Sequence, residues 1–195
     1  MKVYLAIKIP EQAILALSKQ LQEWKNEYRY FNWVKPERYQ MILHTFGVID
    51  TEDVEAIKKK IYDAIFEESE FELFTRSADM FIKSNISIYI NFQRERKLTQ
   101  LVRRIRLAFG INSAYDFVPH IEIAKYKIPS KQQYLAMKRV FENSSFEAQF
   151  PVNEIFLFER NTDGVSPGYT ELTSFPLLLD KRTSDPIEEQ ESTKE

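Results

Sequence analysis

The chain has 195 residues, 44% of them hydrophobic and 29% charged, with a formal net charge of −2. That length and balance suit a soluble globular protein, as one large domain or two small lobes around a substantial core. Cysteine is absent, which excludes disulfides, zinc–thiolate sites and thiol nucleophiles. The four glycines (Gly47, Gly110, Gly164, Gly168) build no phosphate-cradling loop or dinucleotide fingerprint.

Charge is unevenly distributed. From Asp180 onward six acidic residues stand against three basic ones, so the rest of the chain is close to neutral and its charge neither demands nor excludes nucleic acid. The N-terminal apolar run, Val3 to Ile9, is short and interrupted by lysine, unlike a signal peptide or a membrane span. A cytoplasmic protein with no membrane association is expected.

Taken in chain order, Val3 to Ile9 reads as a buried strand ended by Pro10. Residues 11–29 place Ile14, Leu17, Leu21, Trp24 and Tyr28 at helical spacing. Tyr39 to Val48 is strand-like. Thr51 to Glu67 predicts a second helix, with Val54, Ile57, Ile61 and Ile65 on one face. Phe71 to Thr75, Met80 to Lys83 and Ile86 to Phe92 read as three short strands. A third helix is expected over residues 95–109, its core face carrying Leu98, Leu101, Val102, Ile105 and Phe109. The arginines of that helix alternate with a clean apolar stripe, so they are read as a solvated face.

Residues 117–124 predict a strand, Ser130 to Glu142 a helix with a serine cap, and Phe146 to Phe150, Val152 to Phe158 and Gly168 to Phe175 the last strands. Residues 180–195 are polar, acidic and free of aromatics, the composition of a disordered tail. The mixed order with hairpins indicates α+β with antiparallel sheets. The numerous tyrosines and phenylalanines fall mostly on core faces and are read as packing.

The segment Phe117-Val118-Pro119-His120-Ile121-Glu122-Ile123-Ala124-Lys125 carries one of only two histidines. On a regular strand His120 and Glu122 share one face while Ile121 and Ile123 share the other. An imidazole and a carboxylate are costly to bury unless paired or wet, so this face is expected to line a cleft.

These features together resemble a known family. Val3-Tyr4-Leu5-Ala6-Ile7, Trp33-Val34-Lys35-Pro36-Glu37 with a strand closing on Gly47, Phe117-Val118-Pro119-His120 with Ile123-Ala124-Lys125, and Gly168-Tyr169 succeed one another over residues 1–179 as in the two-histidine phosphoesterase superfamily. The likeness is in particular to the RNA 2',3'-cyclic phosphodiesterases long named 2'-5' RNA ligases. The resemblance implies a single bilobal α+β domain over residues 1–179, its two antiparallel sheets forming a central cleft with helices outside. It also implies one His-x-Thr or His-x-Ser motif from each lobe. One histidine is then the general base on water, the other protonates the leaving ribose oxygen, and the hydroxyls hold phosphate oxygens, with no metal or cofactor.

Carried onto this sequence, the second motif makes His120 the histidine, Glu122 the residue in the hydroxyl place, and Lys125 the residue where the family often has arginine. The first motif makes Gln40 the residue in the histidine place and Ile42 the one in the hydroxyl place. His120 and Glu122 are thus the catalytic candidates, and Gln40, Ile42, Lys125 and Tyr169 the substrate-binding candidates. One of four defining side chains is kept.

His44 shares a face with Gln40 on a regular strand, but four residues put it about 13 Å away, too far to substitute. A carboxylate at Glu122 about 4 Å from a phosphate costs on the order of 4 kcal/mol at an effective dielectric near 20. On a regular strand Lys125 points to the opposite face and does not offset it. Three functions are compatible with this pattern. One is a divergent family member with weak or lost activity that binds RNA ends or cyclic nucleotides. Another is a phosphodiesterase using His120 with Glu122. The last is a non-catalytic interaction module presenting its tail or outer helices. A monomer is expected, and no protein partner is identified.

Overall fold

In a computed structural model, residues 1–112, 116–161 and 168–179 are described. The expected tail over 180–195 lies outside them, as do residues 162–167 beside the last strand. The strands are β1 (Lys2–Lys8), β2 (Asn32–Trp33), β3 (Gln40–Val48), β4 (Phe71–Ile82), β5 (Ile86–Phe92), β6 (His120–Tyr126), β7 (Gln149–Val152), β8 (Glu154–Arg160) and β9 (Tyr169–Pro176). The helices are α1 (Glu11–Gln20), α2 (Gln22–Glu27), α3 (Val54–Ile65), α4 (Arg96–Ala108) and α5 (Lys131–Glu142).

Two sheets result, in the strand orders β3-β1-β8-β9 and β2-β6-β5-β4-β7. All their pairings are antiparallel, as the α+β reading anticipates. Strands β3 and β6 come together where the two sheets meet.

Strand β1 is buried on both faces, which explains its almost unbroken apolar run. Val3, Leu5 and Ile7 enter the main core. Tyr4 and Ala6 point the other way, into a separate small cluster with Phe156 and Phe158. That second cluster underlies one wall of the cleft.

Helix α3 buries Val54, Ile61 and Ile65, and α4 buries Leu98, Leu101, Val102 and Ile105, on the faces expected from spacing. Ser130 and Gln133 form the reciprocal cap that starts α5.

Some boundaries differ from the sequence reading. The helix expected over 11–29 bends at Leu21, whose ψ opens to −5° while its amide still bonds to Leu17, dividing it into α1 and α2. The two strands expected at 71–75 and 80–83 are one strand, β4, irregular between Thr75 and Ala78. There the ladder is replaced by local bonds. Ser144 Oγ accepts from the Ala78 amide at 3.1 Å, and the Phe146 amide donates to Arg76 O at 2.8 Å. Polar Arg76 and Ser77 therefore interrupt the apolar pattern without ending the strand.

Strand β6 starts only at His120, because Pro119 has no amide to give and contributes just its carbonyl, to Phe92 N. Strand β7 likewise starts at Gln149, not Phe146. The two-residue β2, too short to read from periodicity, pairs Asn32 and Trp33 with Lys125 and Ala124 of β6.

Candidate functional site

The first wall is set by the pairing of β1 with β3. Residues directly opposed across an antiparallel pair share a face. Lys8 opposes Gln40 and Ala6 opposes Ile42, so Gln40 and Ile42 stand on the face of Tyr4, Ala6 and Lys8. Between Leu5 and Ala6 the register slips, leaving Leu43 as an extra residue, and Leu5 opposes His44.

This slip corrects the expectation that His44 shares a face with Gln40. One inserted residue turns His44 to the core side, where its ring lies 4.7 Å from Phe46 and 6.2 Å from Phe109, just past the end of α4. Burial, with the Arg106 charge adding to it, holds His44 below its usual 6.5. The unfolded chain therefore takes up this proton first as pH falls. The stability contributed by neutral His44 is complete above about 6.5 and is lost as pH drops through the folded value. His44→Gln should flatten the slope of unfolding free energy against pH below 6.5, measured by urea titration. Equal slopes in the two proteins would contradict this.

The second wall comes from β6. Its register against β5 pairs His120 with Asn91 and Glu122 with Tyr89, then slips so that Ala124 opposes Ile88 and Lys125 opposes Ser87. Ile123 is the extra residue, and both Ile123 and Ala124 are buried.

The bulge corrects the expectation for Lys125 as well. Lys125 emerges on the same face as Glu122, with Nζ 3.1 Å from Oε1, while Ser87 Oγ donates to Oε2 at 2.9 Å. Both carboxylate oxygens of Glu122 are engaged and its charge is matched by an ammonium. The penalty expected for an anion beside a bare carboxylate is correspondingly reduced.

Together the walls enclose a cavity of about 340 Å³, lined among others by Gln40, Ile42, Glu122, Lys125 and Tyr169. Five of the six candidate residues thus meet in one place. His120 is not in this lining. It lies two residues from Glu122 on the same strand face, with Nδ1 2.7 Å from Val118 O and its ring 5.1 Å from Tyr89 and 6.4 Å from Phe81. A carbonyl only accepts, so Nδ1 is the donor in that bond.

Gln40 is held by Tyr4, whose hydroxyl donates to Oε1 at 2.8 Å. Burial pushes the Tyr4 hydroxyl up to about 12, against the lowering effect of Arg160, so it stays a donor at neutral pH. The other end of the Gln40 amide, Nε2, is buried with no hydrogen-bond partner among the described residues. Such an orphaned donor costs about 1–3 kcal/mol. Ile42 is 41% exposed into the cavity and offers no donor. Tyr169 commits its hydroxyl to Glu37 O at 2.7 Å, tying β9 to the turn Pro36–Arg38.

Sequence reasoning missed Tyr4, Arg38 and Arg160, which also line the cavity. Strand alternation could have flagged Tyr4 as opposite in face to Val3 and Leu5. Arg160 alternates with Phe158 and Phe156 on β8 in the same way. Among the described residues no group of histidine, aspartate and glutamate side chains could hold a metal ion. No described helix is long and apolar enough to cross a membrane.

Comparison with known proteins bears on this cleft. The family model of the 2'-5' RNA ligase superfamily matches residues 16–164. The RNA 2',3'-cyclic phosphodiesterase of Methanothermobacter thermautotrophicus is 22% identical over 182 residues, covering 90% of this chain and 98% of that protein. The crystal structure of TT0787 of Thermus thermophilus superposes with a TM-score of 0.74 at 21% identity, over 92% of this chain and 100% of that one. E. coli LigT in its apo form superposes with a TM-score of 0.71 at 18% identity, over 91% and 97% of the two chains.

Proposed function

Since the chain belongs to the 2'-5' RNA ligase superfamily, we propose that it is a divergent relative of the RNA 2',3'-cyclic phosphodiesterases. In this reading its cleft binds the phosphate of an RNA end or nucleotide, and the two-histidine hydrolysis is weak or lost. The observation that carries the reading is that Gln40, the residue the resemblance puts in the first histidine's place, is locked by Tyr4 and lines the same cavity as Glu122 and Lys125.

In-line displacement at phosphorus needs a proton taken on one side and given on the other. An amide does neither at neutral pH, and Ile42 supplies no hydrogen bond to a phosphate oxygen. Glu122 is held by Ser87 and Lys125, not by His120. Loss of one acid–base partner alone lowers rates about 10²- to 10⁴-fold. Binding groups survive. Among the described residues Arg38, Lys125 and Arg160 line the cavity against a single carboxylate, and the Gln40 amide has a donor without a partner. A relative of the same fold, E. coli LigT, has been solved in complex with 3'-AMP and with phosphate.

The test compares the parent chain with His120→Ala on an RNA oligonucleotide ending in a 2',3'-cyclic phosphate. Hydrolysis by the parent should be no faster than by the variant, while both retain binding that depends on the phosphorylated end. Parent hydrolysis that disappears in the variant would overturn the assignment of weak or lost chemistry and favour His120 as an active acid or base.

A further inference from the structure

We propose that the cleft selects a terminal ribose phosphomonoester, the open phosphate of a nucleotide or RNA end, over the 2',3'-cyclic phosphodiester. This rests on the phosphate-binding reading above and goes beyond it by naming the form of phosphate preferred.

The cations of the cavity are not equivalent. Lys125 is matched by Glu122 at 3.1 Å. Arg38 and Arg160 line the same cavity, and neither has a carboxylate partner among the described residues. Arg38 is carried by the turn that Tyr169 ties to β9, and Arg160 stands over the Tyr4 ring at 5.6 Å. Among the described residues, two guanidiniums are therefore without a matching carboxylate and are open to a ligand. A phosphomonoester is close to a dianion at neutral pH, its second pKa being about 6, whereas a cyclic diester carries one negative charge. The monoester matches both guanidiniums and the diester leaves one unmatched.

Oxygen count points the same way. A monoester presents three terminal oxygens and a cyclic diester two. Guanidinium forks engage such oxygens in pairs, and the buried Gln40 Nε2 is a further donor awaiting an acceptor. On the hydroxyl positions of the family pattern, Ile42 offers no donor and Glu122 is a carboxylate already occupied. The donors of this cavity thus stand on Arg38, Arg160 and Gln40, not on positions 42 and 122, an arrangement that suits an end that no longer reacts.

The experiment measures binding by fluorescence competition near pH 7.5, with three forms of the same short RNA ending in 3'-phosphate, 2',3'-cyclic phosphate or 3'-hydroxyl. The mononucleotides 3'-AMP and 2',3'-cyclic AMP form a parallel arm. The monoester should bind at least about tenfold more tightly than the cyclic form, the scale of one additional charge pair in a partly desolvated site. The margin should shrink to within about threefold in Arg160→Gln and in Arg38→Gln. Arg160 is exposed, so its variant is expected to keep the parent's thermal midpoint. A preference seen with RNA alone identifies an RNA end as the ligand, and one seen with both arms extends it to free nucleotides. Equal or tighter binding of the cyclic form would overturn the preference and leave the phosphate-binding reading standing. Equal binding of the hydroxyl end would remove both.

Discussion

Replacing Gln40 by His, Ile42 by Thr and Glu122 by Thr together should raise the rate of RNA 2',3'-cyclic phosphate hydrolysis at least about 10²-fold over the parent chain. Strand register is the reason. Gln40 and Ile42 oppose Lys8 and Ala6 on the cleft face of β1, and Glu122 shares the cavity with them. A histidine at 40 stands where Tyr4 already provides an orienting hydroxyl. Threonines at 42 and 122 restore hydrogen-bond donors for phosphate oxygens, each such donor being worth about 10²- to 10³-fold in rate. Removing the Glu122 carboxylate also frees Lys125 from its 3.1 Å partner, adding a cation for the developing charge. Adding His120→Ala to the triple variant should abolish the gain. A folded triple variant that still binds phosphorylated ends but gains no activity would show that His120 and position 40 do not flank one phosphorus.

Phe141→Ala should cost about 3–5 kcal/mol of folding stability, read as a lower urea midpoint at unchanged m-value. Phe141, on the last turn of α5, is fully buried. Its ring lies 4.6 Å from Trp24, 5.6 Å from Tyr28 and 6.4 Å from Phe31. The cluster continues from Phe31 to Tyr126 at 4.9 Å, the last residue of β6. Truncation leaves a cavity between rigid rings that can collapse only partly, and it loosens the support of β2 against β6 beside the Lys125 bulge. Phe141→Leu keeps most of the apolar volume and should cost markedly less. A cost below about 1 kcal/mol for the alanine variant would mean that the aromatic cluster is not a rigid unit.

The parts of the fold that were legible are those where one period holds long enough to show. Leu98, Leu101, Val102 and Ile105 mark the buried stripe of α4, and Val54, Ile61 and Ile65 that of α3. Val3, Leu5 and Ile7 were recognisable as strand core even though Tyr4 and Ala6 are buried against the opposite cluster. The cleft position of Glu122 came from simple alternation with Ile121 and Ile123. Periodicity could not reveal β2, which consists of two residues paired with Lys125 and Ala124. It also could not show that Arg38 and Arg160, 122 positions apart in the chain, line one cavity.

Residue identities and their order were sufficient for an α+β fold with antiparallel sheets and for the likeness to the family. Which way His44 and Lys125 point was settled only by tertiary pairing. The extra residues at Leu43 and Ile123 exist relative to β1 and β5, not in the sequence of β3 or β6 alone. Because side chains on a strand alternate with a period of two, one inserted residue reverses the face of every residue beyond it. That reversal sends His44 into the aromatic packing with Phe46 and Phe109. It brings Lys125 to Glu122, turning a carboxylate expected to repel phosphate into one that is already matched.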